Sequence, residues 1–167
     1  PGNKPFSIQS EDARQKQFET DVVLKDGSLV HVRPVNLEDE ALLASFIESL
    51  TPKTLELRFL HALASKKTVK ELMPRDGQFA LLALREDVVI GHAIYTQNLP
   101  DKAEHAVVVA DAYQNKGLGM ILLGQLAQAA IAAGITEFEA YVDPENAPIL
   151  QVVRELGFPT VLKSEPG

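Results

Sequence analysis

A glycine-containing loop, QNKGLG at residues 114–119, has the residue types that point most directly to chemistry. β-Branched residues precede it and a run rich in Ala and Leu follows it, which predicts a strand, the loop and a helix in that order. The first turn of a helix presents unpaired N–H groups and a partial positive charge, and glycines let an anion approach the backbone closely. The loop is therefore a candidate pyrophosphate site, although two glycines are also typical of a tight turn.

Two common nucleotide-binding motifs do not match this loop. A dinucleotide-binding fingerprint would need a third glycine where the chain has Leu122, and an acidic residue about 20 positions further on. A Walker A loop would end in Gly-Lys-Ser or Gly-Lys-Thr, which the sequence lacks. Both nucleotide-binding interpretations are therefore disfavoured.

The elements around the loop follow from periodicity and turn signals. In the second half of the chain we predict strands at 78–84, 88–96, 104–109 and 138–142, and helices at 120–133 and 145–156. In the first half we predict a β-hairpin with its turn at 26–27, and helices after Asn36, after Thr51 and at 68–73. Because the loop belongs to a strand–helix–strand unit, this half should contain parallel strands in a mixed sheet.

Composition limits the function classes. The 167 residues are enough for one domain with a real core, and the absence of cysteine removes thiolate metal sites and a cysteine nucleophile. The net charge of −7 argues against nucleic acid, which needs clustered Lys and Arg. No apolar run approaches the roughly 18 residues of a membrane span, so we expect a cytoplasmic protein. Residues 1–20 are polar and indicate a linker, and residues 21–167 form the predicted domain.

The glycine loop resembles the Q/R-x-x-G-x-G/A motif of the GNAT family of N-acetyltransferases. Residues 146–158, NAPILQVVRELGF, are similar to that family's second signature, and residues 24–60 are similar to the bacterial Pat-like protein lysine acetyltransferases. The resemblance covers about residues 22–160. It implies a three-layer α/β fold in which helices flank a mixed, mostly antiparallel central sheet.

The resemblance implies that acetyl-CoA is the co-substrate and that no metal takes part. It also implies which residues hold the coenzyme. The pyrophosphate is assigned to the loop, which consists of Gln114, Asn115, Lys116, Gly117, Leu118 and Gly119. The pantetheine arm is assigned to the main chain of the preceding strand, at Val107, Val108 and Val109. Asn146 is similarly placed to an asparagine that touches the arm near its thioester, and it equally fits a helix N-cap.

Acetyl transfer to a lysine needs a base, because an ammonium with a pKa of about 10.4 must first lose a proton. Glu104 matches the glutamate that starts this strand in Pat-like enzymes, and we predict that it is the base. His105 should face the other side of the sheet by strand alternation, and Asp111 should begin the loop. Val153 stands where many family members have a tyrosine general acid, so the resemblance supplies no acid.

The expected acceptor is a protein lysine, for example on an acyl-CoA synthetase. One alternative is a small amine, which would need a closed pocket around Arg33, Arg58 and His61; another is a non-catalytic acyl-CoA sensor. Residues 158–162 can form one strand after LGF, and the further strand that the family usually adds would come from a longer chain or be missing. Relatives also fuse this domain to a regulatory module, so we expect that the domain belongs to a larger regulated protein.

Overall fold

The computed structural model describes residues 16–59, 66–141, 154, 157 and 159–163. In these parts of the chain one sheet is formed by β1 (Thr20–Val23), β2 (Leu29–Pro34), β3 (Gln78–Arg85), β4 (Val88–Leu99), β5 (Lys102–Val109), β6 (Glu137–Tyr141) and β7 (Thr160–Lys163). The helices are α1 (Glu40–Ser49), α2 (Pro52–Phe59), α3 (Lys66–Leu72) and α4 (Leu118–Ala132). The predicted elements are therefore confirmed to within a few residues, except the helix at 145–156, which lies outside the described residues apart from Arg154.

The strands follow one another across the sheet in chain order. Neighbours from β1 to β5 are antiparallel, whereas β5–β6 and β6–β7 are parallel. Helix α4 connects β5 to β6, as a parallel pair requires a crossover. The predicted mixed, mostly antiparallel sheet flanked by helices is confirmed.

The capping residues expected from the sequence fix the start of a 3-10 turn, Leu37–Asp39, which leads directly into α1. The Asn36 side chain accepts from the Glu38 N–H (3.2 Å), and Asp39 accepts from the Asn36 N–H (2.8 Å). Asp39 is buried and also receives both terminal nitrogens of Arg33 at 2.8 Å. Arg33 therefore serves this cap, and it is not among the residues that line the pocket beside Arg58, as the small-amine alternative required.

The sheet separates two apolar cores. One lies under α4 and the other under α1, α2 and α3. Gly91 on β4 allows α4 to pack closely, since a Cβ there would lie 2.9 Å from Cδ1 of Leu122. Phe18 is 2% exposed in the α4 core, so it packs with the domain although it belongs to the segment that composition assigned to a linker.

Candidate active site

The glycine loop turns sharply before α4. Asn115 has φ 63° and Gly117 has φ 91°, a left-handed conformation that glycine adopts without strain. The first helical hydrogen bond runs from the Ile121 N–H to the Gly117 carbonyl at 3.1 Å. Within the described residues, the N–H groups of Leu118, Gly119 and Met120 therefore have no acceptor, and they are free to bind an anion.

The hairpin between β1 and β2 holds the loop from one side. The Lys25 N–H donates to the Lys116 carbonyl (3.1 Å), and Nζ of Lys116 lies 2.9 Å from Oδ2 of Asp26. The Lys116 ammonium lowers the pKa of Asp26 well below its usual range. The Lys25 stem lies over the loop, with Cε 3.5 Å from where a Cβ at Gly117 would be. Nothing in the sequence signals that Lys25 contacts the loop, because its neighbour Asp26 is 90 positions from Lys116 along the chain.

The other side of the loop is tied to α2 through Asp111. Nε2 of Gln114 donates to the Val109 carbonyl at 2.9 Å and approaches Oδ1 of Asp111 at 3.4 Å. The same carboxylate accepts from the Thr51 N–H at 3.2 Å and from the Thr54 hydroxyl. Asp111 thus joins the loop to the start of α2, which makes it a poor alternative to Glu104 as a base.

Strand β5 has an open edge beside the loop. It pairs with β4 from Lys102 to Val109, but its parallel pairing with β6 covers only Lys102 to His105. The Ala110 N–H donates to the Ile90 carbonyl (2.8 Å), and antiparallel alternation then directs the main-chain groups of Val107 and Val109 away from β4. Among the described residues, the N–H and C=O of Val107 and the N–H of Val109 have no partner. This open edge, Ala106–Val109, could accept an added extended chain.

A pocket of about 280 Å³ lies further along β5, on the face covered by α2 and α3. Its lining residues are Arg58, Lys70, Glu71, Arg75, Gln78, Ile94, Thr96, Glu104, His105 and Ala106. Burial lowers the pKa of the Arg58 guanidinium to about 10, while the charges of Glu71 and Glu104 act in the opposite direction. Glu104 is half-buried and lies five residues from Val109, about 16 Å along an extended strand.

Two buried histidines lie near this pocket. The His105 ring packs against Phe138 with centroids 5.0 Å apart, in contact with the core under α4, as strand alternation predicted. Burial and the charge of Arg58 lower its pKa to about 4, and its ring nitrogens have no hydrogen-bond partner in the described part of the chain. His92 bonds the Leu72 carbonyl at 2.9 Å, and the same two causes lower its pKa to about 3. Neither ring is suited to accept a proton at neutral pH.

The structure brings most of the sequence-derived site residues to one strand and the loop that follows it. Glu104, the open edge and the glycine loop lie in that order along the chain. Of the residues named for the small-amine alternative, Arg58 lines the pocket, Arg33 does not, and His61 lies outside the described residues. Asn146 and Val153 also lie outside them. No group of His, Asp and Glu side chains in the described residues is arranged to hold a metal, and no described helix could cross a membrane.

Comparison with known proteins places residues 40–158 on the model of the acetyltransferase (GNAT) family. An acetyltransferase of Pseudomonas aeruginosa, PA5475, is 32% identical over 144 residues, which cover 81% of this chain and 77% of that protein. The GNAT domain of S. lividans PAT superposes with a TM-score of 0.80 at 30% identity, covering 90% of this chain and 93% of that one. The yncA protein of Salmonella typhimurium, solved with its cofactor acetyl-CoA, shares the fold at a TM-score of 0.62 and 23% identity, covering 77% of this chain and 78% of that one.

Proposed function

The chain belongs to the GNAT family of acetyltransferases, and we propose that it transfers the acetyl group of acetyl-CoA to the ε-amine of a protein lysine. The observation that carries the proposal is the open edge of β5, which leads from the glycine loop at one end to the Glu104 pocket at the other. A ligand with a pyrophosphate at one end and a reactive group at the other would extend along this path.

The glycine loop and the open edge fit the coenzyme. The unpaired N–H groups at the start of α4 suit the pyrophosphate, and a side chain at Gly117 would meet the Lys25 stem and require a strained backbone. The amide groups of the pantetheine arm suit the unpaired N–H and C=O of Val107, as in strand addition. We therefore assign the pyrophosphate to residues 114–119 and the arm to residues 107–109. Asn146 remains a prediction for the thioester end.

Glu104 is proposed as the general base. It would accept the proton of the lysine ammonium directly or through one water, after which the amine nitrogen bonds to the acetyl carbon while the C–S bond breaks. The sulfur leaves as a thiolate, and the second proton, which the nitrogen loses as it becomes an amide, passes to that thiolate or to water. Asp111 is engaged with Thr51 and Thr54, and His105 is buried against Phe138, so neither competes for this role.

A protein acceptor is supported by the mouth of the pocket. Lys70, Glu71 and Arg75 are exposed there, and Arg33, which a closed small-amine pocket would use, binds Asp39 instead. The likeness of residues 24–60 to Pat-like enzymes supports the same choice. We propose an acyl-CoA synthetase among the substrates, the cytoplasm as the location and residues 21–167 as the catalytic domain, with Phe18 of the preceding segment packed in its core.

The test is turnover of acetyl-CoA with three acceptor classes: lysine peptides, an intact acyl-CoA synthetase and small polyamines or aminoglycosides. Release of free thiol and a mass gain of one acetyl group are measured together. We expect turnover with the protein or peptides, and loss of that turnover in Glu104→Gln. Turnover on small amines alone would favour the small-molecule alternative, and coenzyme binding with no turnover on any acceptor would favour the sensor.

A further inference from the structure

The lining of the pocket carries more positive than negative charge, although the whole chain has a net charge of −7. Three cationic side chains line it, Arg58, Lys70 and Arg75, against the two carboxylates of Glu71 and Glu104. This local excess of positive charge is unexpected for a site that must admit a lysine ammonium, because like charges repel.

Arg58 differs from the other two cations. Its guanidinium is deep in the pocket, its Nε is buried, and both carboxylates of the pocket act on its charge. Arg58 therefore already has its counter-charges within the protein. Lys70 and Arg75 are exposed at the mouth, and in the parts of the chain that the structure describes neither takes part in an ion pair.

The backbone at Arg75 is held in a fixed place relative to the pocket wall. The Gln78 N–H donates to the Arg75 carbonyl (2.9 Å), and the Arg75 N–H donates to Oε1 of Gln78 (2.8 Å). Nε2 of the same glutamine donates to Oγ1 of Thr96 on β4 at 2.9 Å. Lys70 lies on α3. The last residue of that helix, Leu72, is held to β4 because its carbonyl accepts a hydrogen bond from His92. Both cations thus start from fixed main-chain positions beside the entrance.

We propose that the acceptor lysine lies in an acidic sequence context, with an Asp or Glu of the substrate near the lysine contacting Lys70 and Arg75 while the ε-amine reaches Glu104. The inference deepens the proposed function and rests on it. The substrate then carries its own pair of charges: its cation meets the pocket carboxylates, and its anion meets the cations at the mouth. Exposed charge pairs contribute little each, so we expect a preference of roughly two- to fivefold per matched charge.

The experiment uses peptides that share one lysine and differ only at positions −2, −1, +1 and +2, which hold Glu, Ala or Lys. Wild-type protein is expected to acetylate the Glu-flanked peptide with a kcat/KM about tenfold above that of the Ala-flanked peptide, mainly through KM. The double variant Lys70→Glu, Arg75→Glu is expected to reverse the order, so that the Lys-flanked peptide becomes the best. Lys16→Glu, which makes the same charge change per site at an exposed residue outside the pocket, is expected to keep the wild-type order.

Two readouts distinguish binding of the acceptor by Lys70 and Arg75 from binding of the coenzyme by the same side chains. The KM for acetyl-CoA is expected to stay unchanged in the double variant, since both substitutions lie away from the glycine loop; a rise in that KM would mean that Lys70 and Arg75 bind the coenzyme and would overturn the inference. Equal kcat/KM for all three flanks would overturn it while leaving protein lysine acetylation intact. Turnover on small amines with none on any peptide would overturn the proposed function and the inference with it.

Discussion

The glycine loop with its open edge and the Glu104 pocket lie on the same strand, but they are built from different parts of the chain and from different groups. The loop and the edge offer main-chain N–H and C=O groups within one continuous segment, 106–119. The pocket offers side chains from α2, α3, β3, β4 and β5, and from the loop between α3 and β3. A site made of main chain tolerates many side chains but no change of backbone, whereas a site made of side chains can be altered one group at a time.

The largest expected effect therefore comes from placing bulk and negative charge in the main-chain site. In Gly119→Glu a carboxylate would occupy the first turn of α4, where we assign the pyrophosphate. We expect no acetyl-CoA binding up to millimolar concentrations by calorimetry. The matched control is Gly124→Glu in the same helix, where an added Cβ meets nothing within 4 Å. Equal loss in both variants would mean that the helix, not the loop, had failed.

Glu104→Gln should separate the two regions, because it removes a proton acceptor and leaves the loop untouched. We expect the dissociation constant for acetyl-CoA to change little and kcat/KM at neutral pH to fall by roughly 10²-fold or more. Raising the pH should partly restore the rate, since more of the acceptor amine is then neutral. Glu48→Gln on the exposed side of α1 is the control. Normal turnover of the Glu104 variant across pH would exclude Glu104 as the base.

The strand that joins the two regions also carries a group that makes stability depend on pH: His105, whose ring packs against Phe138 in the core under α4. Its folded pKa of about 4 lies below the unfolded value of 6.5, so between these pH values only the unfolded chain binds the proton. The free energy of unfolding should therefore decrease as pH falls from 6.5 towards 4, by up to about 1.4 kcal/mol per pH unit for this group. His105→Leu should reduce that slope in urea titrations at pH 7, 6 and 5. Identical slopes in both proteins would contradict a buried neutral His105.

Lys25 should show the smallest effect, because it contributes one exposed charge to a site made mainly of backbone. We expect Lys25→Ala to weaken acetyl-CoA binding roughly two- to fivefold at low salt, and less at high salt. Lys16→Ala should bind as the wild type does. If Lys25→Ala leaves the affinity for acetyl-CoA unchanged, the Lys25 side chain only packs against the loop at Gly117 and its charge does not contribute to binding.

The contrast between a site within one continuous segment and a pocket assembled from several elements explains what could be predicted from the sequence. The glycine loop, the strand before it and the cap at Asn36 were predicted because each depends on residues close together in the chain. Periodicity also predicted the strand and helix order, although α4 begins at Leu118, two residues before the predicted start, because the Gly117 backbone already turns into the helix.

The pocket was less accessible to sequence reasoning. Arg58, Glu71 and Arg75 meet Glu104 only after α2 and α3 pack on β4 and β5, and no spacing in the chain signals that contact. The small-amine alternative required Arg33 beside Arg58, but the buried carboxylate of Asp39 binds Arg33 instead, since a buried charge needs a partner. The ion pair of Asp26 with Lys116 was missed for the same reason of distance along the chain.

The central claim is that the open edge of β5 receives the pantetheine arm, and residue-resolved amide exchange tests it most directly. In the free protein the Val107 N–H, which faces the open edge, should exchange rapidly, while the Val108 N–H, which faces β4, should be protected. With saturating acetyl-CoA the Val107 N–H should become protected as well. A Val107 N–H that is already protected in the free protein, or that still exchanges rapidly with the coenzyme bound, would contradict the account.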